Sequence, residues 1–336
     1  MKKLFSLLFL FSLLLVRAQN EQLAANYFDR GEFEKALLNY EDLLKTQPGN
    51  FNYFYRVIEC YQQLQQYEKA EKALVERIAK FKQGGSIVEL GYNYQLQKDQ
   101  NKANKYYDDA IEKINKTPAE VYGIAYQFEK RGLIDYALKA YQLALQKEPN
   151  FKFNYQMALL YGQKGDLDMM IEKFLEDSYT NPQNLIMIEN QLARFMTEDS
   201  SITFNDLLKK ALLTRVQKSQ DVFWNQYLSW YYTQMKEYGK AFIQEKAIYK
   251  RNPDTFANIV NLAQLAIEEG DKDTAKEIFL FVLDNTKDLD LLIQSHTYLM
   301  QMRIDTATEK EYAAVDAEMD LLLKEFFLLY KSLQRG

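Results

Sequence analysis

The chain of 336 residues holds one histidine, His296, and one cysteine, Cys60, and that inventory bounds its chemistry. A zinc site draws several ligands from Cys and His, so neither a His-based nor a Cys/His metal site can be assembled. A serine–histidine–carboxylate arrangement would have to use His296, yet the chain carries no Gly-x-Ser-x-Gly nucleophile turn. His296 is therefore expected to be a helix-packed or surface residue. Gly84-Gly85-Ser86 has the composition of a phosphate-binding helix N-terminus, but the P-loop lysine is missing, and a turn between helices accounts for the two glycines. Asp284, Asp288 and Asp290 have the composition of a calcium loop. Leu289 and Ser295 stand where that loop needs its glycine and its glutamate. No isolated carboxylate pair is placed for general acid–base work. The expectation is a protein that is not an enzyme and takes no cofactor or metal. Cys60 reads as a small apolar core residue, with an intermolecular disulfide as the alternative; an internal one cannot form.

The positioning frame is helical. Hydrophobic residues make up 47% of the chain and charged ones 26%, with 5 prolines, a composition for folded chain rather than disorder. At the N-terminus Lys2 and Lys3 precede an uncharged, mostly apolar run from Leu4 to Val16, and Val16-Arg17-Ala18 offers small residues at a cleavage spacing. Residues 1–18 are thus expected to be a secretory signal peptide, with an uncleaved membrane anchor as the alternative. The apolar run is shorter than the roughly 20 residues that a spanning helix needs. Cleavage removes three positive charges and no negative one, taking the formal net charge from −5 to −8. No basic run is present, which argues against nucleic acid as a partner.

The stretch Arg30 to Asn50 is echoed at Arg131 to Asn150. Placing an anchor at Ala36 finds Ala70, Ala103, Ala137 and Met170 at intervals of 34, 33, 34 and 33, and Ala241 and Ala275 are again 34 apart. A period near 34 belongs to a helix–turn–helix repeat. The same types recur around each anchor: Ala24, Tyr27, Phe33, Tyr40 and Pro48 in the first repeat, Ala125, Phe128, Ile134, Tyr141 and Pro149 in the fourth. Small residues let two helix backbones approach, and aromatics fill the space beside the crossing. Gly31, Gly132, Gly165 and Gly270 suit a left-handed turn after the first helix; Pro48, Pro149, Pro182 and Pro253 stop the second. Ser86 and Glu89 have capping-box spacing, and Thr117-Pro118 marks another helix start. Between Asn184 and Asp221 the motif fades while helical spacing persists.

This pattern resembles the tetratricopeptide repeat family, of an exported bacterial type. The resemblance implies an all-α, right-handed superhelical solenoid of antiparallel helix pairs. The repeats fall at about 21–50, 51–83, 84–117, 118–150, 151–183, a degenerate 184–221, 222–255 and 256–287, with terminal helices over 288–336, as one solenoid from residue 19. The resemblance also implies that first helices line a concave groove, so that positions fifteen and eleven before each anchor face it. Those positions hold Tyr55 and Glu59, Val88 and Tyr92, Tyr122 and Tyr126, Tyr155 and Leu159, Gln226 and Trp230, and Val260 and Gln264. Arg56, Gln62, Gln63, Gln95, Gln163 and Asn261 add donors between the rings. The lysines and asparagines with which well-known members clamp a C-terminal carboxylate are absent.

The partner-binding groove is accordingly assigned to Tyr55, Glu59, Tyr92, Tyr122, Tyr126, Tyr155, Trp230 and Gln264. The expected function is a scaffold in the bacterial periplasm that binds a protein or peptide in envelope assembly, secretion or complex organisation. A receptor for glycans or other ligands, stacking sugar rings on the same aromatics, is the alternative, and packing between first helices is the structural reading of those rings. The apolar end from Leu321 to Tyr330 raises four readings: self-association, a docked partner, a chain shortened relative to longer relatives, or a thick buried cap.

Overall fold

Helices form where the repeat phase puts apolar residues three and four apart, and they stop where proline removes a donor. In the computed structural model, which describes residues 20–197, 201–253 and 256–308 together with Asp320, Leu321, Leu323, Lys324, Phe327 and Lys331, every described element is helical. The expected signal peptide lies outside the described residues, as does most of the apolar end. Of that end, Leu321, Leu323 and Phe327 are exposed.

Two compact units divide at Asp166 and Leu167. The first contains α1 (20–29), α2 (Phe33–Thr46), α3 (Phe51–Gln63), α4 (Tyr67–Phe81), α5 (Gly84–Leu96), α6 (Gln100–Lys116), a 3-10 turn over Pro118–Glu120, α7 (Val121–Lys130), α8 (Ile134–Lys147) and α9 (Asn154–Gln163). Successive helices pair as antiparallel hairpins; α5 also packs on α7, and α6 on α8. The anchors Ala36, Ala70, Ala103 and Ala137 are all fully buried. Gly91 shows why the position twelve before an anchor is small: a Cβ there would lie 2.6 Å from the Tyr107 ring and 3.1 Å from the Ala103 carbonyl oxygen.

The second unit contains α10 (Leu167–Thr180), a 3-10 turn over Pro182–Asn184, α11 (Leu185–Thr197), α12 (Ser201–Lys218), α13 (Val222–Gln234), α14 (Tyr238–Arg251), α15 (Ala257–Glu268), α16 (Lys272–Asn285) and α17 (Leu289–Thr308). The faded stretch is a helix pair after all, built on a simpler stripe. Ile188, Leu192 and Met196 on α11, and Phe204, Leu208 and Leu212 on α12, recur every four residues and are buried. Each stripe lies along one helix face.

All five prolines stand two residues beyond a helix end, after Thr46, Lys116, Lys147, Thr180 and Arg251. Gly31, Gly132, Gly165 and Gly270 take φ of 75°, 67°, 75° and 83°, and the equivalent turns of other repeats force Gln65, Lys98 and Lys236 to 56°, 64° and 57°. The turn shape belongs to the repeat; glycine is its low-strain residue, since a side chain there costs about 1–2 kcal/mol. The capping-box reading of Ser86 is corrected. Helix α5 begins earlier, at Gly84, so Ser86 lies inside it, buried, and Glu89 points to Arg131 instead of back to a cap.

Glu189 on α11 is half-buried, and burial pushes its carboxyl from 4.5 up to about 7. The folded value lies above the unfolded one, so its contribution to stability is full below about pH 4.5 and is lost as pH rises through about 7. Replacing Glu189 with Gln is expected to leave stability unchanged at pH 4 and to raise it by about 1 kcal/mol at pH 8, after a discount for partial exposure. Urea unfolding of parent and variant at both pH values checks this.

Candidate functional site

Two of the cavities among the described residues lie in the first unit, and five of the eight assigned groove residues line them. The larger, of 430 Å³, is bounded by α3 through Phe51, Asn52 and Tyr55, by the start of α5 through Gln83, Gly84 and Gly85, and by residues 117–127 including Glu120, Tyr122, Tyr126 and Gln127. The third repeat departs from the second and fifth at two of the positions around it. Nineteen positions before the anchor, the second and fifth repeats carry Phe51 and Phe151 while the third carries Gly84; fifteen before, Tyr55 and Tyr122 flank Val88. The glycines do not make the turn that the sequence suggested. They form the first turn of α5, where a Cβ on Gly84 would sit 2.5 Å from the Ile124 side chain and one on Gly85 would sit 3.0 Å from both the Gly123 carbonyl oxygen and the Tyr55 hydroxyl. Absent side chains let α5 press against α7.

Around the cavity Tyr122 and Tyr126 are 59% and 60% exposed. Tyr122 is fixed by edge contacts to Phe151 and Phe153, with ring centroids 5.8 and 5.3 Å away. Tyr55 is half-buried, its hydroxyl 3.3 Å from Ser86 Oγ. Burial pushes that hydroxyl above its ordinary range, although hydrogen bonds to Ser86 and Gln127 act the other way. Glu120 closes one side: its Oε2 accepts from the Gly84 N–H at 2.9 Å, and its Oε1 lies 3.4 Å from Lys113 Nζ. A carboxylate from the next repeat thus caps α5, whose own N-cap Gln83 makes no side-chain bond to it.

The second cavity, of 320 Å³, is lined by Arg56, Glu59 and Gln62 of α3, by Tyr92 of α5, and by Arg131, among others. Its floor is an ionic network. Glu89, 0% exposed, takes both arms of Arg131, Nε to Oε1 at 2.8 Å and Nη2 to Oε2 at 2.6 Å. Arg131 also stacks on Tyr92, 4.3 Å from the ring centroid, and reaches Glu59 at 3.5 Å. Burial opposes the charge on Arg131, but the bonds and charges of Glu89 and Glu59 outweigh it and hold the guanidinium above its ordinary pKa. Glu59 is further held by Arg56 at 3.1 Å and Lys130 at 2.5 Å. Its carboxylate is committed within the protein, so the free charge beside this cavity is cationic.

Of the other assigned residues, Tyr155 on α9 is half-buried and lines neither cavity. Trp230 and Gln264 belong to the second unit: Trp230 is half-buried with its ring 5.4 Å from Tyr227, and Gln264 donates to the Tyr298 hydroxyl at 3.2 Å. Val88 and Val260, placed in the groove by phase, are buried. Cys60 is fully buried, and burial together with the Glu59 charge pushes its thiol up to about 12; a thiol so held is a poor nucleophile. Sequence reasoning missed Phe51, Glu120, Gln127 and Arg131. Arg131 carried a signal, since it begins the echo, but a repeated position reads as a joint of the fold.

No protein-family model matches the chain. Among curated proteins, the general transcriptional corepressor trfA of Dictyostelium discoideum is 26% identical over 125 residues, spanning 36% of this chain and 9% of its own length. Similar solved structures include the APC/C hetero-tetramer Cut9–Hcn1 (16% identity, 81% of this chain and 54% of that one, TM-score 0.30). Yeast Tom70 (17%, 83% and 61%, 0.29) and a tetratricopeptide repeat protein from Parabacteroides merdae (11%, 83% and 96%, 0.28) are others. The chain thus spans 9% of the curated relative and about half of the Cut9–Hcn1 chain, at 54%. Its own helix pairs, on a period of 33 to 34 residues with buried small anchors and left-handed turns, make the fold tetratricopeptide-like.

Proposed function

We propose that this chain is a non-enzymatic, exported scaffold that holds an extended or helical segment of a protein partner against the aromatic cavity of its first unit, in the periplasm. The observation that carries this reading is the pair Tyr122 and Tyr126, side by side on α7 and more than half exposed beside Tyr55 and Phe51. Large rings left in water on a rigid helix are anchors awaiting a surface: Tyr gives wide contact area at small entropic cost and is enriched in binding hot spots. The apolar N-terminal run supports export, and the poor catalytic inventory supports a binding role.

Ring faces beside the Gln83 and Gln127 amides also suit stacking on sugars, the competing reading. Calorimetry of the mature protein against a panel of extended peptides and a panel of oligosaccharides separates the two. Heat from peptides, abolished when Tyr126 is replaced by Ala, is the expected result. Heat from oligosaccharides alone would replace the scaffold by a glycan receptor.

A further inference from the structure

Three residues that line the larger cavity carry oxygens with unused accepting capacity. Gln127 is 2% exposed, and its Oε1 has no hydrogen-bond partner among the described residues. Gln83 Oε1 is likewise buried and unpartnered. Both residues line the same cavity, with Glu120 beside them. Each Glu120 oxygen has one neighbour, the Gly84 N–H or Lys113 Nζ, and a carboxylate accepts about four hydrogen bonds in all. Lys113 is not a wall of the cavity. Two buried amide oxygens without donors, and a carboxylate with spare accepting capacity, therefore belong to residues that line a space walled by the rings of Phe51, Tyr55, Tyr122 and Tyr126.

We propose that this cavity receives an arginine side chain from the partner segment, an inference that rests on the groove reading above. The guanidinium offers five donors and no acceptor, which matches walls that supply acceptors. It is planar and weakly hydrated and stacks on aromatic faces, whereas an ammonium is a compact, strongly hydrated point charge that gains less from a ring-walled site. The formal net charge of −5 for the whole chain favours a cationic partner. A volume of 430 Å³ falls within the range of about 300–1,000 Å³ usual for ligand pockets. The neighbouring cavity, whose lining includes the cations Arg56 and Arg131, has the opposite sign, so a segment lying along α3 and α7 meets an acceptor site and then a donor site.

The test uses the full mature chain with two small probes, N-acetyl-arginine N-methylamide and its neutral isostere N-acetyl-citrulline N-methylamide, titrated by ligand-observed NMR. The arginine probe is expected to bind about tenfold more tightly than the citrulline probe. Y126A, which alters an exposed ring, and E120Q, which keeps an acceptor for the Gly84 N–H, should each shrink that preference to about threefold or less. Equal binding of the two probes, or a preference that survives both substitutions, would overturn the assignment, as would a lysine analogue that binds as tightly as the arginine one. Loss of peptide binding in Y126A, together with equal probe affinities, would leave the groove reading standing and remove the arginine.

Discussion

Replacing Arg131 with Met is expected to cost the first unit about 3–5 kcal/mol. Arg131 supplies the whole electrostatic compensation for Glu89, a carboxylate with no exposed surface, through two bonds of 2.8 and 2.6 Å. Without it, Glu89 must stay charged without a partner or take up a proton, and Glu59 loses one of its three cations. Lysine is not a conservative replacement, because a point charge cannot span both Glu89 oxygens and rest on Tyr92. The pair R131M/E89L is expected to recover most of the loss, since replacing a buried ion pair by apolar side chains of similar volume is often neutral or stabilising. Urea unfolding of parent, single and double variants, followed by circular dichroism, measures the coupling. A single-variant cost under about 1 kcal/mol would show that the network is wetter and weaker than its geometry.

Replacing Tyr122 and Tyr126 together with Ala is expected to reduce affinity for a bound segment by about a hundredfold or more while leaving the fold intact. Two aromatic anchors contribute on the order of 2 kcal/mol each where an interface desolvates them. The rings add less to the free protein: Tyr126 is mostly exposed, and Tyr122 loses its edge contacts to Phe151 and Phe153, about 0.5–1.5 kcal/mol for each pair. Binding and stability should therefore separate, with affinity by calorimetry falling while unfolding stays cooperative and its loss stays within that amount.

Much of the frame was legible because each repeat states its own joints. Ala103 and Ala137 are small for helix contact, Gly31 and Gly132 turn left-handed, and Pro48 and Pro149 end helices, all through chemistry within one repeat. What depends on neighbouring repeats was not legible. Arg30 and Arg131 occupy equivalent places in the echo, yet Arg30 is 71% exposed at the side chain and meets Glu32 at 3.4 Å, whereas Arg131 meets Glu59 and Glu89 from the two repeats before its own. Val88 shares the phase of Tyr55 and Tyr122 but is buried, since Gly84 and Gly85 let α5 settle deeper. The larger cavity escaped for the same reason: residues of three successive repeats bound it, and no single repeat signals it.

Site-specific photocrosslinking in the cells that make the protein tests the aromatic groove most directly. Benzoylphenylalanine placed at Tyr126, and separately at the comparably exposed Leu38 of α2, is irradiated in living cells, and the adducts are resolved by mass. A discrete protein adduct from position 126 that is absent from position 38 is the expected result. No adduct at 126, or the same set of adducts at both positions, would contradict it.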